Sequence, residues 1–190
     1  MRYDPHTALI VVDVQNDFAH PDGTLYIAEA DEAIPRINEE VGHALAAGAA
    51  VLYTQDWHPP ETPHFERGDR RTDHCVRDTW GAEFHPALRV VGDTIRKGTG
   101  LEDGFSGFST PDPDRPTEGS SALAARLHKL AVERIVVVGL AYGGCVKATA
   151  LDALRLGFHT SVIRDASGSP TPEGAAQATE ILTAAGATVA

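Results

Sequence analysis

Two short runs of apolar, mostly β-branched residues limit most strongly what this chain can fold into. They are TALIVVD at Thr7–Asp13 and RIVVVG at Arg134–Gly139. Neither run alternates between apolar and polar residues, so each is expected to be a strand that is covered on both faces. Such strands are typical of parallel sheets with helices on both sides. The sequence therefore predicts an α/β fold.

Helical and strand patterns alternate along the rest of the chain. A helix is expected after the first run, with Asp31 as its N-cap and Gly48 at its end. Its apolar residues recur at helical spacing: Ile34, Ile37, Val41 and Leu45. Further strands are predicted at 51–55, 94–97, 160–165 and 187–189, and further helices at 121–130, 146–156 and 172–185. Residues 1–190 are thus expected to form one three-layer α/β/α domain around a central, mostly parallel sheet.

Charge and composition narrow the classes of partner. The net charge is −11, from 27 acidic and 16 basic residues. This argues against nucleic acid or an anionic membrane as partner and favours a small neutral substrate. No apolar run reaches the roughly 18 residues of a membrane span, and the N-terminal residues do not resemble a signal peptide. Together with only two cysteines, this predicts a cytoplasmic protein. The sequence is compatible with a homo-oligomer.

Three candidate catalytic residues follow predicted strands. In parallel sheets, ligands bind beyond the carboxyl ends of the strands. The three residues are Asp13, Lys97 and Cys145. Cys145 lies in a glycine-containing turn before a helix, and a helix N-terminus is expected to lower the pKa of its thiol. Together the three offer a nucleophile, a base and a cation. Each also has an ordinary interpretation: a structural cysteine, a capping carboxylate and a solvated lysine.

A second group of polar residues occupies the long irregular segment from Asp56 to Pro86. Its members are Asp56, His58, His64 and His74, within QDWHPPETPHFERGDRRTDHC. On an extended segment, residues two apart share a face, so the Asp-x-His pair can point both side chains to one place. Imidazole and carboxylate suit Zn²⁺, Fe²⁺ or Mn²⁺. The alternative is a histidine-rich loop in solvent.

Six segments, taken in order from Ala8 to about Asp165, resemble one protein family. They are IVVDVQNDF, TQDWHP, HCVRDTWGAEFHP, RKG, FSGF and VVVGLAYGGCVKATALDA. This combination resembles the isochorismatase-like cysteine hydrolases and, among them, the nicotinamidases, also called pyrazinamidases.

The resemblance implies a role for each matching position. The catalytic residues would be Asp13, Lys97 and Cys145. One divalent metal ion would be bound by Asp56, His58 and His74, with His64 matching a fourth histidine that some members use. The Leu140–Ala141 peptide would be cis, and the N–H groups of Ala141 and Cys145 would form an oxyanion hole.

The substrate pocket matches the family less well. Phe18 and Phe105 match aromatic pocket positions. Arg71 stands where bacterial nicotinamidases carry an aromatic residue, and Tyr142 stands where many members have threonine. The Arg71 guanidinium either stacks on the substrate ring or points to solvent and leaves a wider pocket.

The activity implied by the resemblance is hydrolysis of nicotinamide to nicotinate and ammonia through a Cys145 thioester, within NAD salvage. The alternatives are another small-amide or vinyl-ether hydrolase of this fold, and a non-catalytic binding module. Cys145 argues against true isochorismatases, which commonly lack the cysteine. His58 and His74 argue against carbamoylsarcosine-type amidases, which lack the histidine set.

Overall fold

A computed structural model of the protein describes residues 2–67, 70–100, 104–111, 113 and 121–190. The strands are β1 (Thr7–Val12), β2 (Ala50–Asp56), β3 (Glu66–Arg67), β4 (Arg70–Arg71), β5 (Asp93–Lys97), β6 (Arg134–Gly139), β7 (His159–Ser167) and β8 (Thr188–Val189). Six of them form a sheet in the order β5-β2-β1-β6-β7-β8, and all its neighbours pair in parallel. The short strands β3 and β4 form a separate antiparallel pair.

Helices cover both faces of the sheet. They are α1 (Asn16–Ala19), α2 (Ala30–Ala46), α3 (Ala122–Lys129), α4 (Lys147–Arg155) and α5 (Pro172–Ala184). Alternate residues of β1 divide between the two sides: Leu9 and Val11 pack with α1 and α2, whereas Ile10 and Val12 pack with α3, α4 and α5. The three-layer α/β/α fold is therefore confirmed. No helix in the described ranges is both long and apolar enough to cross a membrane.

Two details of α2 differ from the prediction. The helix begins at Ala30 with Glu29 as its N-cap, so the expected cap, Asp31, is wrong. Asp31 lies instead in the first turn, where its charge still faces the positive end of the helix dipole. The buried stripe ends on Ala44, while Leu45 is 41 % exposed. The period of 3.6 residues permits either position, and packing against the sheet selects Ala44.

Parallel pairing aligns the carboxyl ends of the central strands. Val12 of β1 lies opposite Thr54 of β2 and Gly139 of β6, and Lys97 of β5 lies opposite Asp56 of β2. The residues that leave these strands therefore emerge along one edge of the sheet, as the sequence predicts.

Candidate active site

The centre of this edge is the ammonium group of Lys97, whose side chain is fully buried. Its Nζ lies 2.7 Å from Asp13 Oδ2 and donates hydrogen bonds to Asp56 Oδ1 and to the Gly104 carbonyl, both at 2.5 Å. It also lies 3.6 Å from Cys145 Sγ. Burial alone would lower the pKa of Lys97, but the two carboxylates raise it well above its ordinary value. Lys97 is therefore a fixed cation that faces both carboxylates and the thiol.

Asp13 directly follows β1, with a backbone φ of 48°. Its side chain is fully buried, and Thr54 Oγ1 donates a hydrogen bond of 2.7 Å to Oδ1. A carboxylate oxygen of Asp13 lies within 4.8 Å of Cys145 Sγ. Burial raises the pKa of Asp13 to about 6, against the opposing effect of Lys97. Asp13 is thus ionised at neutral pH yet basic enough to accept a proton.

Cys145 lies in the turn Tyr142–Val146, between β6 and α4. The expectation of a lowered thiol pKa is wrong, because burial raises the pKa of Cys145 well above its ordinary value although Lys97 opposes the shift. Desolvation of the thiolate, together with the Asp13 and Asp56 carboxylates, outweighs the favourable charge of Lys97. The resting residue is a thiol, which needs a base before it can act as a nucleophile.

The irregular segment after β2 folds back on itself and joins two of the predicted metal ligands. The His58 N–H donates to the Cys75 carbonyl at 3.0 Å, and the Arg77 N–H donates to the His58 carbonyl at 2.9 Å. This short parallel bridge places His58 beside His74, with ring centroids 5.4 Å apart. The His64 ring stacks on His58 at 4.8 Å.

Hydrogen bonds determine the tautomer of two of these rings. His58 Nδ1 lies 3.0 Å from the Gly98 carbonyl, and His74 Nδ1 lies 2.9 Å from the Thr72 carbonyl. A carbonyl oxygen only accepts, so in the neutral imidazole each Nδ1 carries the hydrogen and each Nε2 carries the lone pair. This is the arrangement in which imidazole binds metals.

His58 Nε2 provides the test of whether a cation fits. It is buried, and no hydrogen-bond partner lies near it among the described residues. Asp56 Oδ2, a second electron-pair donor, lies 3.6 Å away. The ligand atoms of His58, His64 and His74 all lie within 4.8 Å of one another. Converging donors of this kind suit Zn²⁺, Fe²⁺ or Mn²⁺.

A second set of potential ligand atoms belongs to Asp13, Asp56 and Cys145, which also lie within 4.8 Å of one another. There, the Lys97 ammonium already lies against all three side chains and supplies the positive charge. The histidine cluster is therefore the better place for a metal ion. Asp56 also lies next to the histidine cluster, with Oδ2 3.6 Å from His58 Nε2. Burial raises the pKa of Asp56, but Lys97 and His58 outweigh this and lower it to about 2.

A cavity of about 600 Å³ connects the thiol with the histidines. Seven of the site residues predicted from the sequence line this cavity: Phe18, Asp56, His64, His74, Phe105, Ala141 and Cys145. Leu25 and Ile27 add apolar surface from the segment after α1. This size and lining suit a small aromatic ligand. The Leu140–Ala141 peptide is cis, as the resemblance implies.

Two predicted pocket residues lie apart from this cavity in the described structure. Arg71 is directed outwards: its guanidinium binds Asp73 at 2.6 Å and the Pro60 carbonyl at 2.5 Å, and it lies over Phe65. Tyr142 is fully buried behind the turn, with its hydroxyl 2.9 Å from Thr179 Oγ1. Sequence reasoning placed both by position in a motif, and tertiary contacts turn both side chains away.

Two supporting residues were not identified from the sequence. Gly98 has a φ of +63°, and a Cβ atom there would lie 2.2 Å from His58 Cε1, so only glycine allows the ring to approach. Asp17 is buried, and its Oδ2 accepts a 2.7 Å hydrogen bond from the Cys75 N–H, next to His74. The sequence offered one signal for each: Gly98 is the glycine of RKG after a predicted strand, and Asp17 is an acidic residue next to Phe18.

Comparison with known proteins agrees with this geometry. Residues 7–190 match the isochorismatase domain family. The nicotinamidase of Escherichia coli is 34 % identical over 97 % of this chain and 94 % of its own length. The zinc complex of the Pyrococcus horikoshii pyrazinamidase is 39 % identical, with a TM-score of 0.85 over 98 % of this chain and 99 % of the other. The nicotinate complex of PnC1 from L. infantum is 29 % identical, with a TM-score of 0.85 over 100 % and 95 % of the two chains.

The contrast between the two cysteines leads to a labelling prediction. Iodoacetamide at pH 8 is expected to modify Cys145, which lines the cavity, and to leave fully buried Cys75 unmodified. The measurement is one label per native chain, located by peptide mass spectrometry. Asp13→Asn should speed the labelling, because the Asp13 carboxylate raises the pKa of the Cys145 thiol and its removal favours the thiolate beside Lys97. Equal modification of both cysteines under native conditions would contradict this assignment.

Proposed function

The chain belongs to the isochorismatase domain family, and on that basis we propose that it is a nicotinamidase, which hydrolyses nicotinamide to nicotinate and ammonia. The proposal is based mainly on one observation. The buried ammonium of Lys97 lies against both Asp13 and Cys145, and a histidine cluster lies beside them at the same cavity. A non-catalytic binding module has no need of such a costly buried arrangement.

The reaction begins with proton transfer. Asp13 takes the proton of the Cys145 thiol, and the sulfur attacks the carboxamide carbon. Ala141 and Cys145 both line the cavity, and their N–H groups would stabilise the oxyanion. Asp13 then returns the proton to the departing nitrogen, which leaves as ammonia, and a thioester remains on Cys145.

Water completes the reaction. Asp13 is ionised again after ammonia has left, and it takes a proton from a water molecule that attacks the thioester carbonyl. Collapse of this second tetrahedral species breaks the carbon–sulfur bond, and the proton on Asp13 returns to the sulfur. Nicotinic acid is released and loses its own proton to water as nicotinate. Throughout, Lys97 lies near both the sulfur and the carboxylate, so it stabilises whichever of the two carries the negative charge.

The metal ligands of the proposed enzyme are Asp56, His58 and His74, with His64 as a fourth. A divalent ion bound there would supply a Lewis-acid anchor for the ring nitrogen of the substrate, directly or through water. Zinc is consistent with these donors and with the zinc complex of the P. horikoshii relative. Phe18 and Phe105 would hold the two faces or edges of the ring.

The outward position of Arg71 favours a wide pocket. Its guanidinium is held by Asp73 and by a backbone carbonyl, so it does not stack on a substrate ring. The cavity of about 600 Å³ lies within the roughly 300–1,000 Å³ of pockets that hold drug-sized ligands. We therefore expect pyrazinamide and larger aromatic amides to be accepted alongside nicotinamide. The second candidate is a related hydrolase that prefers another small amide.

The biological setting is also part of the proposal. Nicotinate produced from nicotinamide would feed NAD salvage. Both cysteines are free thiols, which is consistent with a reducing compartment such as the cytoplasm.

The assay that tests the function is ammonia release from a panel of amides. kcat/KM for nicotinamide is expected to exceed that for aliphatic amides, because Phe18 and Phe105, which both line the cavity, can pack against an aromatic ring. Cys145→Ala should remove turnover without loss of circular-dichroism signal. A higher kcat/KM for an aliphatic amide would overturn the substrate, and full turnover by Cys145→Ala would overturn the mechanism.

Asp13 should govern the acid limb of the pH profile. Below pH 6, kcat/KM is expected to fall about tenfold per pH unit, because a carboxyl with a pKa of about 6 must be ionised to accept the thiol proton. Thr54→Val removes the hydrogen bond that favours the Asp13 anion, so it should move this limb to higher pH. A flat profile between pH 5 and 7 would exclude Asp13 as the base.

Removal of metal should separate binding from nucleophile chemistry. Dialysis against a chelator is expected to abolish ammonia release, whereas iodoacetamide should still modify Cys145, because Asp13 and Lys97 remain beside the thiol. Added Zn²⁺ should restore the activity. A metal-free protein that retains full turnover would show that the histidine cluster has only a structural role.

A further inference from the structure

Gln15 lies two residues beyond Asp13 in the segment VDVQNDF and is fully buried. Its side chain makes three hydrogen bonds. Nε2 donates to the Asp56 carbonyl at 2.8 Å and to the Ala82 carbonyl at 2.9 Å, and Oε1 accepts from the Asp56 N–H at 2.8 Å. One amide thus binds both polar groups of the Asp56 main chain.

Strand geometry explains why Asp56 needs this partner. In a parallel sheet, the N–H and carbonyl of one residue point toward the same neighbouring strand. Thr54 shares the side of Asp56 and is the last residue of β2 opposite β1, where its carbonyl accepts from the Asp13 N–H. Asp56 lies two residues further, beyond the end of β1. The Gln15 amide therefore takes the place of the missing strand.

Each oxygen of the Asp56 carboxylate has its own neighbour. Oδ1 accepts the Lys97 hydrogen bond at 2.5 Å, and Oδ2 lies 3.6 Å from His58 Nε2. The carboxylate can keep both neighbours, Lys97 and the histidine cluster, only if the Asp56 backbone has a fixed position. Small rotations of the Asp56 peptide would move one oxygen away from the lysine or the other away from the histidine cluster.

We propose that Gln15 is a positioning residue for Asp56, which fixes the carboxylate between Lys97 and the histidine cluster and so sets the affinity for the metal ion. This inference rests on the metal site of the proposed function. Residues that orient metal ligands typically change metal affinity about 10–100-fold when they are replaced.

Gln55 provides a matched control. It is also buried, and its Nε2 donates to the same Ala82 carbonyl at 2.9 Å. Its Oε1 faces Arg96 Nε at 3.4 Å rather than the Asp56 peptide. Gln55→Met therefore removes one bond to Ala82 and the contact with Arg96, whereas Gln15→Met removes one bond to Ala82 and both bonds to Asp56.

The test is Zn²⁺ affinity, measured by competition with a chromophoric chelator, in a Cys145→Ser background that prevents zinc binding to the thiolate. Gln15→Met is expected to weaken Zn²⁺ binding about 10–100-fold. Gln15→Glu keeps an acceptor for the Asp56 N–H but places an oxygen against the Asp56 and Ala82 carbonyls, so it should also weaken Zn²⁺ binding. Gln55→Met should stay within about twofold of the parent. Urea unfolding of each variant shows that the affinities belong to folded protein.

The outcomes separate this inference from the function itself. A parent protein that binds no Zn²⁺ would overturn the metal site and this role with it. A parent that binds, with unchanged affinity in Gln15→Met or an equal loss in Gln55→Met, would overturn only the role of Gln15. If Gln15→Met does not fold, Gln15→Glu decides by the same criterion. Unfolding of both would overturn the role, because Gln15 would then be needed for the fold.

Discussion

The ion pairs of Lys97 hold the candidate site together. Two carboxylates and a thiol in a buried space would repel one another as anions, and each carboxylate is costly to bury alone. Lys97 Nζ reaches Asp13, Asp56 and Cys145 at once, at 2.7, 2.5 and 3.6 Å. Removing this ammonium would leave uncompensated charge in the interior. The position of the base, the nucleophile and one metal ligand therefore all depend on one side chain.

The strand ends give the catalytic groups a rigid support, while the pocket walls come from other elements. Asp13, Asp56 and Lys97 lie at the ends of β1, β2 and β5, whose register the core determines. Phe18 lies in α1, and Phe105 lies in an irregular segment. Groups on strands hold their geometry better than groups on loops, which vary more readily. The chemistry is thus more firmly determined by the fold than the substrate preference.

The sequence predicted the sheet well, because buried parallel strands need continuous apolar runs. TALIVVD and RIVVVG are short runs of this kind, and both form central strands. The predicted carboxyl ends of the strands also indicated that Asp13, Lys97 and Cys145 lie at one edge of the sheet. The residue types in the histidine-rich segment suggested that His58 and His74 act together, but their spacing could not predict the contact, which depends on the bridge between His58 and Val76. The pKa of Cys145 was predicted in the wrong direction, because local sequence reveals a helix N-terminus but not the degree of desolvation.

Burial of the whole Asp13–Lys97–Cys145 group has an electrostatic consequence for each turnover. At rest the thiol is neutral and Asp13 carries a negative charge, which the proton transfer moves to the sulfur. The total charge inside the protein is the same before and after this step. Activation of the nucleophile therefore relocates an existing anion over a few ångströms beside a fixed cation, without bringing a new one out of water.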